Sequence, residues 1–180
     1  MSPSRRSEGA ASVAVRLASP VDAAALSRLA IDTFVATFGH LYKKEDLEAF
    51  LKKNHAPEVY AKLLADPAYG IWVAGREGAL LAYCVAGPCD LPVPDMPANS
   101  GELARLYLRE EAKGTGLAQE MLDLALDWLK ARYDHIYLSV YYENFRAQRL
   151  YASRGFVKIH DYFYMVGNHA DPEWIMELKG

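Results

Sequence analysis

The stretch Lys113-Gly114-Thr115-Gly116-Leu117-Ala118 joins a cation to two glycines spaced one residue apart, just ahead of an apolar run. At a junction between a strand and a long helix, such glycines let main-chain N–H groups approach an anion, and the helix start adds positive potential. Lys113 contributes a further charge, and a pyrophosphate is the guest this chemistry suits. A nucleoside-triphosphate loop needs Gly-Lys-Ser/Thr after its spacer; here the lysine precedes the glycines and nothing follows to hold a magnesium ion. A dinucleotide fingerprint needs a third glycine where Gln119 stands, and an acidic residue at the far end of a strand, whereas Asp134 precedes its strand. A glycine turn with no ligand is the remaining alternative at this level. The two cysteines, Cys84 and Cys89, are too few for a disulfide framework, and a Cys-x4-Cys pair without a second pair beside it leaves no metal site to expect.

The elements that must position this loop follow from apolar spacing. Leu103 to Leu108 predicts a strand, and Thr115 to Arg132 a helix with Leu117, Met121, Leu124 and Trp128 on one face. Ile136, Leu138 and Val140 alternate as a strand. Asn144 to Arg154 predicts a short helix ended by Gly155, and Phe156 to Val166 and Trp174 to Leu178 predict two closing strands. Ahead of the loop, Val13 to Leu17 reads as a first strand. Ser19-Pro20-Val21-Asp22 then opens a helix that runs through Leu26, Leu29 and Phe34 to Phe38. Lys43 to Ala65 reads as two helices parted near Pro57. Gly70 to Ala74 and Leu80 to Ala86 form a hairpin about Glu77-Gly78. The segment from Gly87 to Gly101, with four prolines and two aspartates, is a long surface loop. Helices alternate with strands and hairpins are also present, so the sheet should be mixed.

The chain's 180 residues fit one domain, 13–180, behind a short disordered tail over 1–12. With 52% apolar residues there is material for one sizeable core. A net charge of −3 lacks the basic excess of a nucleic-acid binder and leaves room for a cationic substrate. Arg5 and Arg6 precede an apolar segment cut at once by Arg16, which makes a poor signal peptide, and no apolar stretch is long enough to span a bilayer. A cytoplasmic protein is expected, with neither membrane nor nucleic acid as a partner.

A second block joins the first. Asn144-Phe145-Arg146-Ala147-Gln148-Arg149-Leu150-Tyr151, followed by Gly155-Phe156, resembles the Asn-x-x-Ala-x-x-Leu-Tyr helix and Gly-Phe pair of the GNAT acetyltransferases. The earlier hexamer resembles the same family's Gln/Arg-x-x-Gly-x-Gly/Ala pyrophosphate motif, with Lys113 in the basic position. Lysine there is a departure that keeps the charge and loses planar, multi-donor contact. The resemblance covers nearly the whole chain. It implies a single-domain α/β (α+β) GNAT fold, with a mixed central sheet of about six to seven strands flanked by helices and splayed at an acetyl-CoA cleft.

The activity so implied is acetyl-CoA-dependent N-acetyl transfer to a primary amine, made directly in a ternary complex with acetyl-CoA as co-substrate. Tyr151 matches the family's general acid at the coenzyme sulfur. Asn144 and Ala147 match the block beside the pantetheine arm. Gly114, Thr115, Gly116, Leu117 and Ala118 match the pyrophosphate loop, and Leu106, Tyr107 and Leu108 match the strand whose backbone receives the acetyl and pantetheine groups. Glu102 stands where some histone-acetylating members carry a general base. Neither cysteine lies in these blocks, which argues against a thiol relay. Thr37-Phe38-Gly39, Glu45-Asp46-Leu47 and Val166-Gly167-Asn168 before Asp171 are similar to the bacterial spermidine/spermine branch. That likeness implies a polyamine acceptor; by charge alone Asp46, Glu48, Asp90 and Asp95 are the acids to hold one, the alternative being that they are simply solvated on charged helices and loops. A protein or peptide acceptor and a non-catalytic acyl-CoA sensor are the other classes, and exposed strands near the carboxyl end suit a homodimer.

Overall fold

Nearly unbroken apolar runs along β2 (Gly70–Arg76) and β3 (Ala79–Pro88) give both strands two apolar faces, and helices cover both. The computed structural model describes residues 12–76 and 78–180. The tail expected over 1–12 therefore lies, but for Ser12, outside the described residues, as does Glu77 of the expected hairpin turn. Around β2 and β3 the chain supplies β1 (Ala14–Leu17), α1 (Ala23–Phe38), α2 (Lys44–His55), α3 (Pro57–Ala65), β4 (Ser100–Leu108) and α4 (Leu117–Lys130). It ends in β5 (His135–Tyr141), α5 (Phe145–Ser153), β6 (Phe156–Val166) and β7 (His169–Leu178). The seven strands form one sheet in the order β1-β2-β3-β4-β5-β7-β6. Every neighbouring pair is antiparallel except β4 and β5, which run parallel through α4 as their crossover.

Trp72, Ala74, Ala82, Cys84 and Ala86 face α4, while Ile71, Val73, Tyr83 and Val85 face α1 and α3. The buried stripe of α4 is Leu117, Met121, Leu122, Ala125, Leu126 and Leu129, and Leu124 is 39% exposed. The face expected through Leu124 and Trp128 is thus rotated: those two flank a stripe that the i, i+4 and i+5 positions fill. Trp128 instead packs edge-on against Trp72 and carries Arg132 over its ring at 4.1 Å.

Several strand boundaries differ from the sequence expectation. β3 continues to Pro88 and β4 begins at Ser100, which shortens the long loop from both ends. β7 begins at His169, not Trp174, because β6 offers a ladder from Val166↔His169 to Phe156↔Leu178. Asp171 and Pro172 are poor strand formers, and tertiary pairing overrides them.

The feature that makes a site is a parting of strands. β4 and β5 pair only from Ser100↔His135 to Leu103↔Leu138. Ala104 then stands as an extra residue on β4, since Ala86 pairs with Leu103 and Val85 with Arg105. Such a bulge bends its strand. Beyond it β4 stays with β3 while β5 stays with β7, and a wedge opens between them.

Candidate active site

The wedge is the mouth of a cleft of about 790 Å³, within the usual range of ligand sites. Its β4 wall is Leu103 to Leu108, its β5 wall Ser139 to Tyr141. Leu106 and Leu108 pack toward α4, whereas Tyr107 packs toward α1 and α3, so the cleft passes through the plane of the sheet. On one side it is lined by Lys113, Gly114, Ala118, Asn144, Ala147 and Tyr151; on the other by Thr37, Phe38, His40 and Glu173.

The loop before α4 is built as the glycines require. Gly114 and Gly116 have φ of +77° and +87°, a region that side chains with a Cβ rarely adopt. The turn is held below by Thr115 Oγ1 donating to Ala112 O at 2.6 Å. Glu120 is the first amide to find a main-chain acceptor, Gly116 O at 3.1 Å. The amides from Gly114 to Gln119 have no protein acceptor among the described residues, as expected where a helix begins. Free N–H groups, a helix start and a cation are the donor set that a pyrophosphate needs, so the residues fit coenzyme A. Lys113 is held at the rim by Glu110, 2.8 Å away, and its hydrogen bond, with its charge, keeps that carboxyl below the usual range. Arg146, which no spacing argument singled out, also lines the cleft and lies beside Gly114: its Nη2 would be 3.7 Å from a Cβ built there.

α5 presents Tyr151. Asn144 starts this helix, with Oδ1 accepting the Ala147 N–H at 3.2 Å, and Gly155 ends it with φ +95°. Tyr151 is 8% exposed and packs against Phe156, and burial pushes its phenol pKa well up. The phenol therefore keeps its proton at neutral pH. Its hydroxyl has no protein hydrogen-bond partner among the described residues, which leaves it available to a ligand in the cleft.

Two carboxylates lie on the sheet face opposite α4. Glu102 is 9% exposed, and its Oε2 accepts the Asp90 N–H at 3.0 Å. Burial, with the Asp90 and Glu173 charges adding, pushes its carboxyl up to about 7 against the pull of that hydrogen bond and of Arg105. It stands one residue short of the cleft, whose β4 wall begins at Leu103. Glu173 does line the cleft; Tyr162 Oη donates to its Oε2 at 3.1 Å. Burial raises this carboxyl too, against the neighbouring Ser139 and Tyr162 hydroxyls. Sequence reasoning passed over Glu173 because it stood outside the expected last strand. Its place is mid-strand on β7, opposite Tyr141 and Tyr162.

The four acids that a polyamine would need are dispersed. Asp46 is packed against Gly167, where a Cβ would come within 2.3 Å of its Cγ. Glu48 faces Lys44 at 3.8 Å, Asp90 gives its amide to Glu102, and Asp95 sits in the β3–β4 loop with φ 50°. None of them lines the cleft, although Thr37 and Phe38 of the same motif do. Among the described residues no group of His, Cys, Asp and Glu is arranged to hold a metal ion, and no helix is long and apolar enough to cross a membrane.

Comparison with known proteins bears on the same cleft. The sequence matches the acetyltransferase (GNAT) family over residues 25–156. An uncharacterized N-acetyltransferase of Mycobacterium tuberculosis is 29% identical over 159 residues, covering 86% of this chain and 96% of that protein. One from Lactobacillus delbrueckii subsp. lactis is 24% identical, covering 81% of this chain and 85% of its own. Among solved structures, PaiA N-acetyltransferase from Thermoplasma acidophilum, in complex with coenzyme A, superposes with a TM-score of 0.73 at 21% identity, over 94% of this chain and 99% of that one. A family pattern covering well over half the chain, laid on a sheet that parts where a helix start lies open, makes this protein a member of the acetyltransferase (GNAT) family and an acyltransferase.

Proposed function

We propose that the protein moves an acetyl group from acetyl-CoA to a primary amine, directly, in a ternary complex. The observation that carries this reading is one cleft lined by Gly114, Ala118 and Gln119 of the open amide run, by Tyr151 and by Glu173; Thr115, Gly116 and Leu117 stand outside its lining. Bound acetyl-CoA supplies an activated acyl group as a thioester. The loop amides from Gly114 to Ala118, with Lys113 and Arg146, hold the pyrophosphate. The main chain of Leu106, Tyr107 and Leu108, beyond the last β4–β5 pair, orients the pantetheine arm and acyl carbonyl, with Asn144 and Ala147 on the facing helix. Tyr151, kept protonated by burial, gives its proton to the departing sulfur. Glu173 takes the role expected of Glu102 and removes the proton from the amine, since it alone of the two reaches the cleft. Burial raises its pKa, the direction that suits a carboxylate accepting a proton from an amine.

A polyamine is the finer acceptor suggested by the amino-terminal motif; its support is Thr37 and Phe38 in the cleft wall, with its four acids elsewhere. Unpaired thiols at Cys84 and Cys89 suit a reducing cytoplasm. A homodimer through β6 is supported by its edge position and by Phe163 and Met165, which are 66% and 53% exposed.

The test is thiol release from acetyl-CoA over spermidine, spermine, aminoglycosides, amino acids and lysine peptides. Tyr151→Phe should lower kcat by about 10²–10⁴-fold with acetyl-CoA affinity unchanged. Wild-type turnover in that variant removes Tyr151 from the reaction. Glu173→Gln should abolish the acidic limb of the kcat/KM–pH profile; loss of that limb in Glu102→Gln instead returns the base role to Glu102.

A further inference from the structure

The acceptor side of the cleft contains a cation with no carboxylate partner among the described residues. Arg105 follows the bulge at Ala104; the residue lines the same cleft as Thr37, Phe38, His40 and Glu173, and its side chain reaches toward α3. Its Nη1 donates to Tyr60 Oη at 2.9 Å, and its guanidinium carbon sits 5.4 Å from the centre of that ring. Tyr60 is fixed in turn by His55 Nδ1 at 2.8 Å and lies 3.5 Å from the Tyr83 hydroxyl. His55 is buried and uncharged, its pKa pushed down to about 3 by burial and by the Arg105 charge. Tyr83, Tyr107 and Tyr164 complete the surroundings, all of them neutral phenols near pH 7.

Arg109 and Arg154 each lie within 3 Å of an aspartate, and Lys113 reaches Glu110. Arg105 has no carboxylate within the 4.0 Å of an ion pair among the described residues, although Glu102 and Glu173 share its face of the sheet. One of its five N–H donors is used by the protein. The Tyr60 ring offsets part of the cost of withdrawing the cation from water, and an anion would offset more. The free edge of a guanidinium matches a carboxylate in plane and spacing.

We propose that Arg105 receives a carboxylate carried by the acceptor, so that the substrate is an amino acid or a close amino-carboxylate, its amine directed to Glu173. The proposal rests on the acetyl-transfer reading above and narrows it. A fully cationic chain has nothing to gain beside Arg105, whereas a zwitterion pairs each of its ends with the opposite charge across the cleft.

Matched acceptors test this. kcat/KM is measured for L-phenylalanine, phenethylamine and L-phenylalaninamide, and for L-leucine with its decarboxylated amine and its amide. Each acid lies between its two neutral analogues in amine basicity, so basicity alone cannot favour it. The wild type should prefer the acids over both analogues by about 10–100-fold, the usual effect of a charged hydrogen-bonded partner. Arg105→Gln should collapse that ratio while acetyl-CoA affinity stays unchanged, and Arg105→Lys should restore part of it. A residue that only propped Tyr60 would lower Tm without moving the ratio. Equal or better turnover of the neutral amines, a ratio that survives Arg105→Gln, or activity confined to spermidine or peptides overturns the proposal and leaves acetyl transfer standing. Silence on every amine defeats the transfer reading instead. Calorimetry of the coenzyme A complex with N-acetyl-L-phenylalanine then decides: binding that N-acetylphenethylamine lacks and Arg105→Gln abolishes supports the carboxylate site, and no difference overturns it.

Discussion

Replacing Glu102 with Gln removes an ionisable group from a place where charge is costly, and the effect should depend on pH in a calculable way. The carboxyl is 9% exposed and titrates near 7 in the folded protein, against 4.5 for an open-chain glutamate. Between those values the folded protein holds a proton that the unfolded chain has released. Unfolding therefore releases a proton in that window, and stability falls as pH rises through it. Each pH unit contributes about 1.4 kcal/mol, so the loss from pH 4 to pH 8 should be about 3 kcal/mol. A glutamine can still accept the Asp90 N–H that Glu102 accepts at 3.0 Å, so the substitution changes charge and little else. Urea unfolding at half-unit steps of pH, wild type beside Glu102→Gln, gives the difference directly. The variant should gain about 3 kcal/mol on the wild type between pH 4 and pH 8, most of it between pH 4.5 and 7. A difference that stays flat across this range would refute the reasoning, because the carboxyl would then titrate alike in both states.

Two further outcomes concern the coenzyme side. Gly116→Asp sets a carboxylate beside the open amides, and calorimetry should show coenzyme A binding lost. Gly116→Ala, which carries only the strain of φ +87°, should cost about 1–2 kcal/mol of stability and far less of the affinity. Asn144→Ala removes the cap that accepts the Ala147 N–H, and should cost about 1 kcal/mol, read as a drop in Tm.

What could be read from the chain was what short-range chemistry decides. The helix start at Asn144, Gly155 as stop, Pro57 as helix break and the paired glycines before α4 are local demands of the backbone, and each sits where spacing put it. The rotated face of α4 is a milder case: apolar residues ring more of that helix than the sheet can cover, and packing selects among them. Glu173 and Arg105 were out of reach for another reason. One depends on a ladder with β6 that carries Asp171 and Pro172 into a strand, the other on a bulge that only β3 reveals. Both are facts of register between strands distant in sequence, and side-chain period along one strand does not contain them.

The four-residue pairing from Ser100 to Leu103 is the whole seam between the half-sheet β1–β4 and the half-sheet β5–β7. A molecule lying along Leu106–Leu108 with amide groups of its own would occupy the row that an eighth strand would fill. A coenzyme bound there would be part of the architecture: it would splice two leaves that the chain leaves ajar and form a floor for the acceptor. Addition should accordingly be ordered, coenzyme first, and its arrival should slow amide hydrogen exchange at Leu106–Leu108 and Ser139–Tyr141 together.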